Sequence, residues 1–531
     1  MRGPKYLWWQ NGVIYQIYPL SFMDSNGDGM GDLPGIMRRL DYLQWLGIDA
    51  IWLSPVYPSP MVDLGYDISD YTDIDPLFGT MKDFDLLLGE VHSRGIKLIM
   101  DFVPNHTSDL HPWFLESRSS RDNPKRDWYI WHDPTSDGGP PNNWLSTFGG
   151  SAWEWDEKTG QYYYHAFFKE QPDLNWRNPE VQEAMFNVMR FWLDKGVDGF
   201  RVDVLWHLMK DDQFRNNPPN PDYEPERDLP YHSQLQSFTT NLPEVHDIIA
   251  MMRDVMDEYD ERVMIGEVYL PISELVTYYG KEGKGAHLPF NFQLVTLPWS
   301  AQEVSAIISQ YESSIPSEGW PNWVLGNHDR PRIATRVGAE QARVAAMLQF
   351  TLRGTLFVYY GDEIGMHNVE IPQEQIKDRV EKIIPGYNLG RDPERTPMQW
   401  DVTRNAGFTT GMPWLPLADD YDKINVEAEK DTPASMLTLY RKLIALRRTE
   451  PVFISGKYVP FETMDSVLAY VWRGSDKEFL VALNMGDRTE KLSLKTLKGR
   501  IVLGTHLDRE GGMVEETLSL RGDEGVIVKL V

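Results

Sequence analysis

Residues 196–207 read G-V-D-G-F-R-V-D-V-L-W-H, and this stretch decides the fold. After Gly196 the run to Val202 is short and mostly apolar, which predicts a buried strand. Its end carries Arg201 and Asp203, two residues apart and therefore on one face of the strand. A buried Asp beside an Arg stays ionised, because the neighbouring cation favours the charged form. Taken alone, an R-x-D pair at a strand end is more often a structural ion pair than a reactive one. The strand ends elsewhere in the chain decide otherwise.

Outward from this stretch, apolar runs at 13–19, 50–55, 96–103, 262–268, 288–294, 323–325 and 356–360 predict seven further strands. Amphipathic helices predicted at 33–46, 81–94, 179–195, 244–259, 301–312 and 339–352 alternate with them. Eight strands interleaved with helices imply an α/β protein built on a (β/α)8 TIM barrel, whose sites lie at the carboxyl ends of the strands. The polar clusters fall at such ends: Pro104-Asn105-His106, Gly266-Glu267, Gly326-Asn327-His328-Asp329 and Gly361-Asp362-Glu363. The rhythm breaks at 105–176, a segment rich in Gly, Pro, Trp and Tyr, which reads as a small domain inserted after the third strand. A last helix at 433–448 precedes short alternating strands, so 451–531 reads as a separate C-terminal β-sandwich domain. The barrel then comprises 1–104 and 177–450.

The 531 residues are 41% hydrophobic with a net charge of −27, which argues against a nucleic-acid partner or an anionic membrane surface. There is no cysteine, so disulfides and thiolate metal sites are excluded. Neither a signal-like N-terminus nor a membrane-length apolar run is present, and the expectation is a cytoplasmic monomer or weak homo-oligomer. Asp24, Asn26, Asp28, the Met30 carbonyl and Asp32 follow the alternating-oxygen spacing of a calcium loop, with Gly29 at the turn position. Position 12 of that pattern is Gly35 rather than Glu, so the loop is not a helix-loop-helix sensor. A structural calcium or magnesium ion is expected there, and the same spacing also suits metal-free Asx turns.

Asp203, Glu267 and Asp329 end strands four, five and seven and converge on one mouth. Two carboxylates facing a glycosidic bond suffice to cleave it, one attacking the anomeric carbon and the other protonating the leaving oxygen. The motifs DFVPNH (101–106), GFRVDV (199–204), GEV (266–268) and GNHD (326–329) together resemble the α-amylase superfamily of retaining glycoside hydrolases. That resemblance spans essentially the whole chain. It implies Asp203 as nucleophile, Glu267 as general acid/base, and Asp329 as the group that binds the sugar 2- and 3-hydroxyls. His106, Arg201 and His328 are implied as the hydrogen-bonding shell around the sugar. QPDLNW (171–176) and RTPMQW (395–400) resemble the α-glucosidase and oligo-1,6-glucosidase branch. In that branch the Asp of G-Y-D, here Asp67, is implied to pair with Arg395 and grip the terminal 4-hydroxyl. Tyr66, Phe148 and Phe167 are implied as aromatic walls of the pocket. Val204 stands where the maltose-preferring members tend to carry Thr.

The reading is an exo-α-glucosidase acting on short oligosaccharides without a catalytic cofactor. Its nearest rival is a transglycosylase, or an isomerase of trehalose or sucrose, on the same scaffold. A catalytically dead transporter partner is the rival from another class. Such look-alikes typically lack part of the carboxylate set and carry a membrane anchor, unlike this chain.

Overall fold

The computed structural model describes residues 6–387, 389–464 and 466–531. Eight parallel strands form the central sheet: β1 (Val13–Ile17), β2 (Ala50–Leu53), β3 (Lys97–Phe102), β4 (Gly199–Val202), β5 (Val263–Gly266), β6 (Leu288–Pro289), β7 (Asn322–Val324) and β8 (Thr355–Tyr359). They pair in the order β7-β8-β1-β2-β3-β4-β5-β6. Strands covered on both faces read as continuous apolar runs, and every residue of β1, β2, β4 and β5 is buried.

The ladder runs from β7 round to β6, and one side chain closes the remaining seam. Buried Asn322 of β7 accepts from the Asn291 backbone N–H at 2.9 Å and donates to the Pro289 carbonyl at 2.6 Å. The sixth strand is shorter than the apolar run 288–294 predicts. The Asn291 side chain caps Gln293 N, and the chain turns into the helix Gln293–Thr296.

Local rules set the helices that aim the strands. Thr80 and Asp83 form a reciprocal capping box before the helix Met81–Ser93. The helix Pro179–Lys195 has Asn178 as its cap and Pro179 in its first turn. It stops at Gly196, whose φ of 106° is left-handed, and three residues later the chain is in β4. The predicted helix 33–46 is instead two pieces, Leu33–Arg38 and Leu40–Leu46, broken at Arg39 with φ −108° and ψ 4°.

The inserted segment carries a three-stranded antiparallel sheet of Trp131–His132, Gln161–Tyr164 and Trp153–Asp156. Its aromatics pack on one another, with Trp144 stacked on Trp153 at 5.8 Å. At the C-terminus, the strands within 457–530 hydrogen-bond into one six-stranded antiparallel sheet. The expected all-β C-terminal domain is thus an antiparallel sheet structure. Alternation splits the faces: Leu468, Tyr470 and Trp472 join the barrel core, whereas Val467, Ala469 and Val471 form the domain's own core. Tyr470 and Trp472 also hydrogen-bond to Thr351 at the end of the helix Ala339–Thr351.

Candidate active site

At the carboxyl ends of the barrel strands opens a cavity of about 530 Å³. Arg201, on β4 and fully buried, organises its floor. Its Nη1 donates to Asp101 Oδ1 at 2.8 Å and to Asp203 Oδ1 at 2.7 Å. Its Nη2 lies 2.9 Å from Glu267 Oε2. The ladder fixes both acids, because Asp203 N donates to Phe102 O and Glu267 N to Val202 O. Val204, next in the chain, has φ 37° and ψ 46°, an uncommon conformation for a β-branched residue. That turn aims its N–H at Glu267 Oε2, 2.8 Å away.

Asp101, Asp203 and Glu267 face one guanidinium, so burial dominates and pushes all three carboxyls up while Arg201 pulls them down. Asp203 and Glu267 titrate as a unit. Arg201 gives Asp203 a directed N–H bond, whereas its contact with Glu267 is off the hydrogen-bond axis. Glu267 takes its own directed N–H bond from the Val204 backbone, so hydrogen bonding favours the ionised form of both carboxyls against their burial.

Asp329 is the opposite case. Burial works against its charge, yet the guanidiniums of Arg395 and Arg391 hold it well below the usual carboxylate range. Arg395 Nη2 reaches Asp329 Oδ1 at 2.8 Å, and Arg391 Nη1 reaches it at 3.4 Å. Burial keeps the His328 ring neutral. Gln16 donates to its Nδ1 at 2.7 Å, leaving the proton on Nε2, 3.3 Å from Asp329 Oδ2.

Tyr66, His106, Phe148, Phe167, Val204 and His328 all line the cavity with the three acids. The Tyr66 ring lies parallel to His328, with centroids 5.3 Å apart, and its hydroxyl donates to Asp101 Oδ2 at 3.0 Å. His106 Nε2 stands 3.0 Å from the Tyr66 carbonyl, and burial lowers its pKa. Phe148 and Phe167 meet at 5.4 Å. Arg201 sits behind the acids rather than on the wall.

The expected Asp67–Arg395 pair is not formed. Asp67 is turned into its own loop, where it accepts from Ser59 Oγ, Val62 N and Asp63 N at 2.8–2.9 Å. Arg395 bonds the His328 carbonyl at 2.7 Å and Asp329. The pair on the cavity wall is Asp63–Arg391, at 2.7 Å, each residue four positions earlier than its expected counterpart. Arg391 is held in turn by Asp378 at 2.6 Å, and Asp63 by Gln171 Nε2 at 3.1 Å. The sequence reading missed Asp63, Arg391 and Asp101. All three lie in motifs already singled out or adjacent to them.

The oxygen-rich loop closes on itself. Asp24 accepts from the N–H groups of Asn26, Gly27 and Gly29 and from Thr409 Oγ1. Asn26 accepts from Asp28 N, Asp28 from Met30 N, and Asp32 from Ser25 and Gly35. Four donors occupy the lone pairs of Asp24. Among the described residues no group of three or more His, Cys, Asp or Glu is placed to hold a metal ion. In this conformation the loop oxygens are engaged in successive Asx turns.

A parallel barrel with paired acids at its carboxyl rim and an arginine beneath them is the architecture of a glycoside-bond-processing enzyme. The chain belongs to the α-amylase family: the family's catalytic-domain model matches residues 16–456. An oligo-1,6-glucosidase of Parageobacillus thermoglucosidasius is 42% identical over 91% of both chains. The rat amino acid transporter heavy chain SLC3A1 is 41% identical over 99% of this chain and 79% of its own. The crystal structure of the α-glucosyl transfer enzyme XgtA superposes with a TM-score of 0.94, at 40% identity over 99% of this chain and 100% of that one.

Proposed function

We propose that this protein is a retaining exo-α-glucosidase that removes terminal glucose from short α-linked oligosaccharides. The supporting observation is Arg201, whose two terminal nitrogens reach Asp203 and Glu267 side by side. Carboxyls spanned by a single guanidinium suit the separation of about 5–5.5 Å used for retention, not the ~6.5–9.5 Å that leaves room for a water in inversion. Asp203 attacks the anomeric carbon as the bond to the leaving oxygen breaks, and Glu267 gives that oxygen its proton. A β-glucosyl ester on Asp203 results. Glu267, now ionised, takes a proton from water, whose oxygen attacks the same carbon and frees Asp203. Asp329, held anionic, accepts from sugar hydroxyls, and Asp63 with Arg391 closes the pocket behind the terminal glucose. No metal or organic cofactor takes part in these steps.

Trapping with 5-fluoro-α-glucosyl fluoride followed by peptide mass spectrometry tests the proposal. A glucosyl adduct on Asp203 supports it, and an adduct elsewhere, or none with active enzyme, refutes it. The likeness to a glucosyl transfer enzyme favours a second reading in which an alcohol replaces water in the last step. Products from maltose separate the two: free glucose alone, or new disaccharides.

No described helix is long and apolar enough to cross a membrane; residence in the cytoplasm as a monomer or weak homo-oligomer belongs to the same proposal. A structural calcium at Asp24–Asp32 is the finer proposal, and it requires Asp24 to release its N–H donors. A rise in Tm on adding calcium after chelation supports it, and an unchanged Tm removes it.

A further inference from the structure

The charged groups on the cavity wall are almost all paired. Asp63 is matched by Arg391, Asp203 and Glu267 by Arg201, and Asp329 by Arg395 and Arg391. Arg330 lines the same cavity, is exposed to it, and makes no ion pair among the described residues. Its placement is determined all the same. The backbone bridge between Asn327 and Arg330 fixes the turn that also presents Asp329. The guanidinium rests over the Tyr269 ring, 5.0 Å from its centroid. Tyr269 in turn stacks on Phe292 at 4.1 Å with an interplanar angle of 4°, and Trp206 meets it edge-on at 5.9 Å. Arg330 also hydrogen-bonds the Tyr269 side chain, which fixes the guanidinium, and the rest of its five N–H donors remain for a ligand.

The side of the cavity follows from the chemistry. Asp63 and Arg391 close the glucose end. Tyr269 lies two residues beyond Glu267, whose proton goes to the leaving oxygen, so Arg330 stands on the leaving-group side. Gln236, Thr240 and His232 line the same cavity. Nothing in the hydrolysis of a neutral sugar requires an unpaired guanidinium at that position. An oxyanion would match it with charge and with two parallel hydrogen bonds.

We propose that Arg330 selects α-glucosides whose leaving group carries a carboxylate or a phosphate. This inference rests on the glucosidase reading and deepens it. Two substrate pairs isolate the charge and distinguish the two oxyanions: 2-O-α-glucosylglycerate against 2-O-α-glucosylglycerol, and trehalose 6-phosphate against trehalose. The expected result is a kcat/KM at least about tenfold higher for the acidic member of one pair. In Arg330→Gln that ratio should fall by about tenfold, with Arg330→Lys intermediate. The wild-type preference should also shrink as salt is raised. Melting curves of both variants exclude misfolding as the cause. α-Glucosyl fluoride, whose leaving group does not extend to Arg330, reads the glucosidase chemistry separately. Failure to turn it over removes the glucosidase reading. Turnover of the fluoride with neither acidic substrate preferred, or a preference unchanged in Arg330→Gln, overturns the assignment to Arg330.

Discussion

Asp63→Ala tests the pocket wall most directly. Its Oδ1 accepts from Arg391 Nη2 at 2.7 Å and its Oδ2 from Gln171 at 3.1 Å. Removing one partner of a buried ion pair costs about 3–5 kcal/mol when the other is left alone. Arg391 is not left alone, because Asp378 still takes its Nε and Nη2 at 2.6 and 3.1 Å. The loss of fold stability is therefore expected at about 1–2 kcal/mol, the scale of a lost hydrogen bond to a charged group. Substrate loses more. The glucose hydroxyl that would donate to Asp63 goes unbonded, a further ~1.5–3 kcal/mol. That loss predicts a fall in kcat/KM of roughly 10–10² on p-nitrophenyl α-glucoside, with a Tm shift of only a few degrees. Steady-state kinetics and a thermal melt on the same preparation check both numbers. If Asp63→Ala keeps activity within tenfold while Asp67→Ala loses a thousandfold, the wall has been assigned to the wrong carboxylate.

Other expectations follow from the same geometry. Azide should partly rescue Glu267→Ala on an activated aryl glucoside and give the β-glucosyl azide, whereas Asp203→Ala, where rescued, should give the α-azide; product NMR reads the difference. Burial lifts Asp67 from 3.8 to about 6, so between those values the folded chain binds more protons than the unfolded one. Its contribution to stability is therefore lost as pH rises from 4 to 7, by about 3 kcal/mol, and denaturant unfolding of Asp67→Asn should show that much less pH dependence. Val204→Thr should change the maltose to isomaltose ratio of kcat/KM by about 10-fold or more if a hydroxyl there reads the linkage; an unchanged ratio assigns linkage choice to the entrance loops.

The barrel was legible because each of its strands is a short apolar run ending in polar residues, and that contrast survives without any knowledge of contacts. The acids were legible for the same reason: Asp203, Glu267 and Asp329 sit where strands stop. Asp63 and Arg391 were not. The loops offer two aspartates, at 63 and 67, and two arginines, at 391 and 395. Both pairings keep the same spacing, and only the fold shows that three donors from Ser59, Val62 and Asp63 claim Asp67. The loop 24–32 carries a related ambiguity, since alternating oxygens that could ring a cation serve equally to close successive Asx turns. The short sixth strand was missed because a side-chain cap at Asn291, not a change in hydropathy, ends it.

The Asn322 clip has a bearing on how the chain assembles. With the strand order β7-β8-β1-…-β6, the sheet is a strip whose middle pairs residues near both ends of the barrel sequence. During synthesis, β1 to β6 can pair in succession as they emerge, but β1 keeps a bare edge until β8, some 340 residues later, arrives to cover it. Such an edge invites pairing with other chains for as long as it stays open. The final closure between β6 and β7 then falls to the single amide of Asn322 rather than to a ladder. Asn322→Ala should leave a barrel whose β6–β7 seam exchanges its amide protons first, while the β8–β1 junction stays protected.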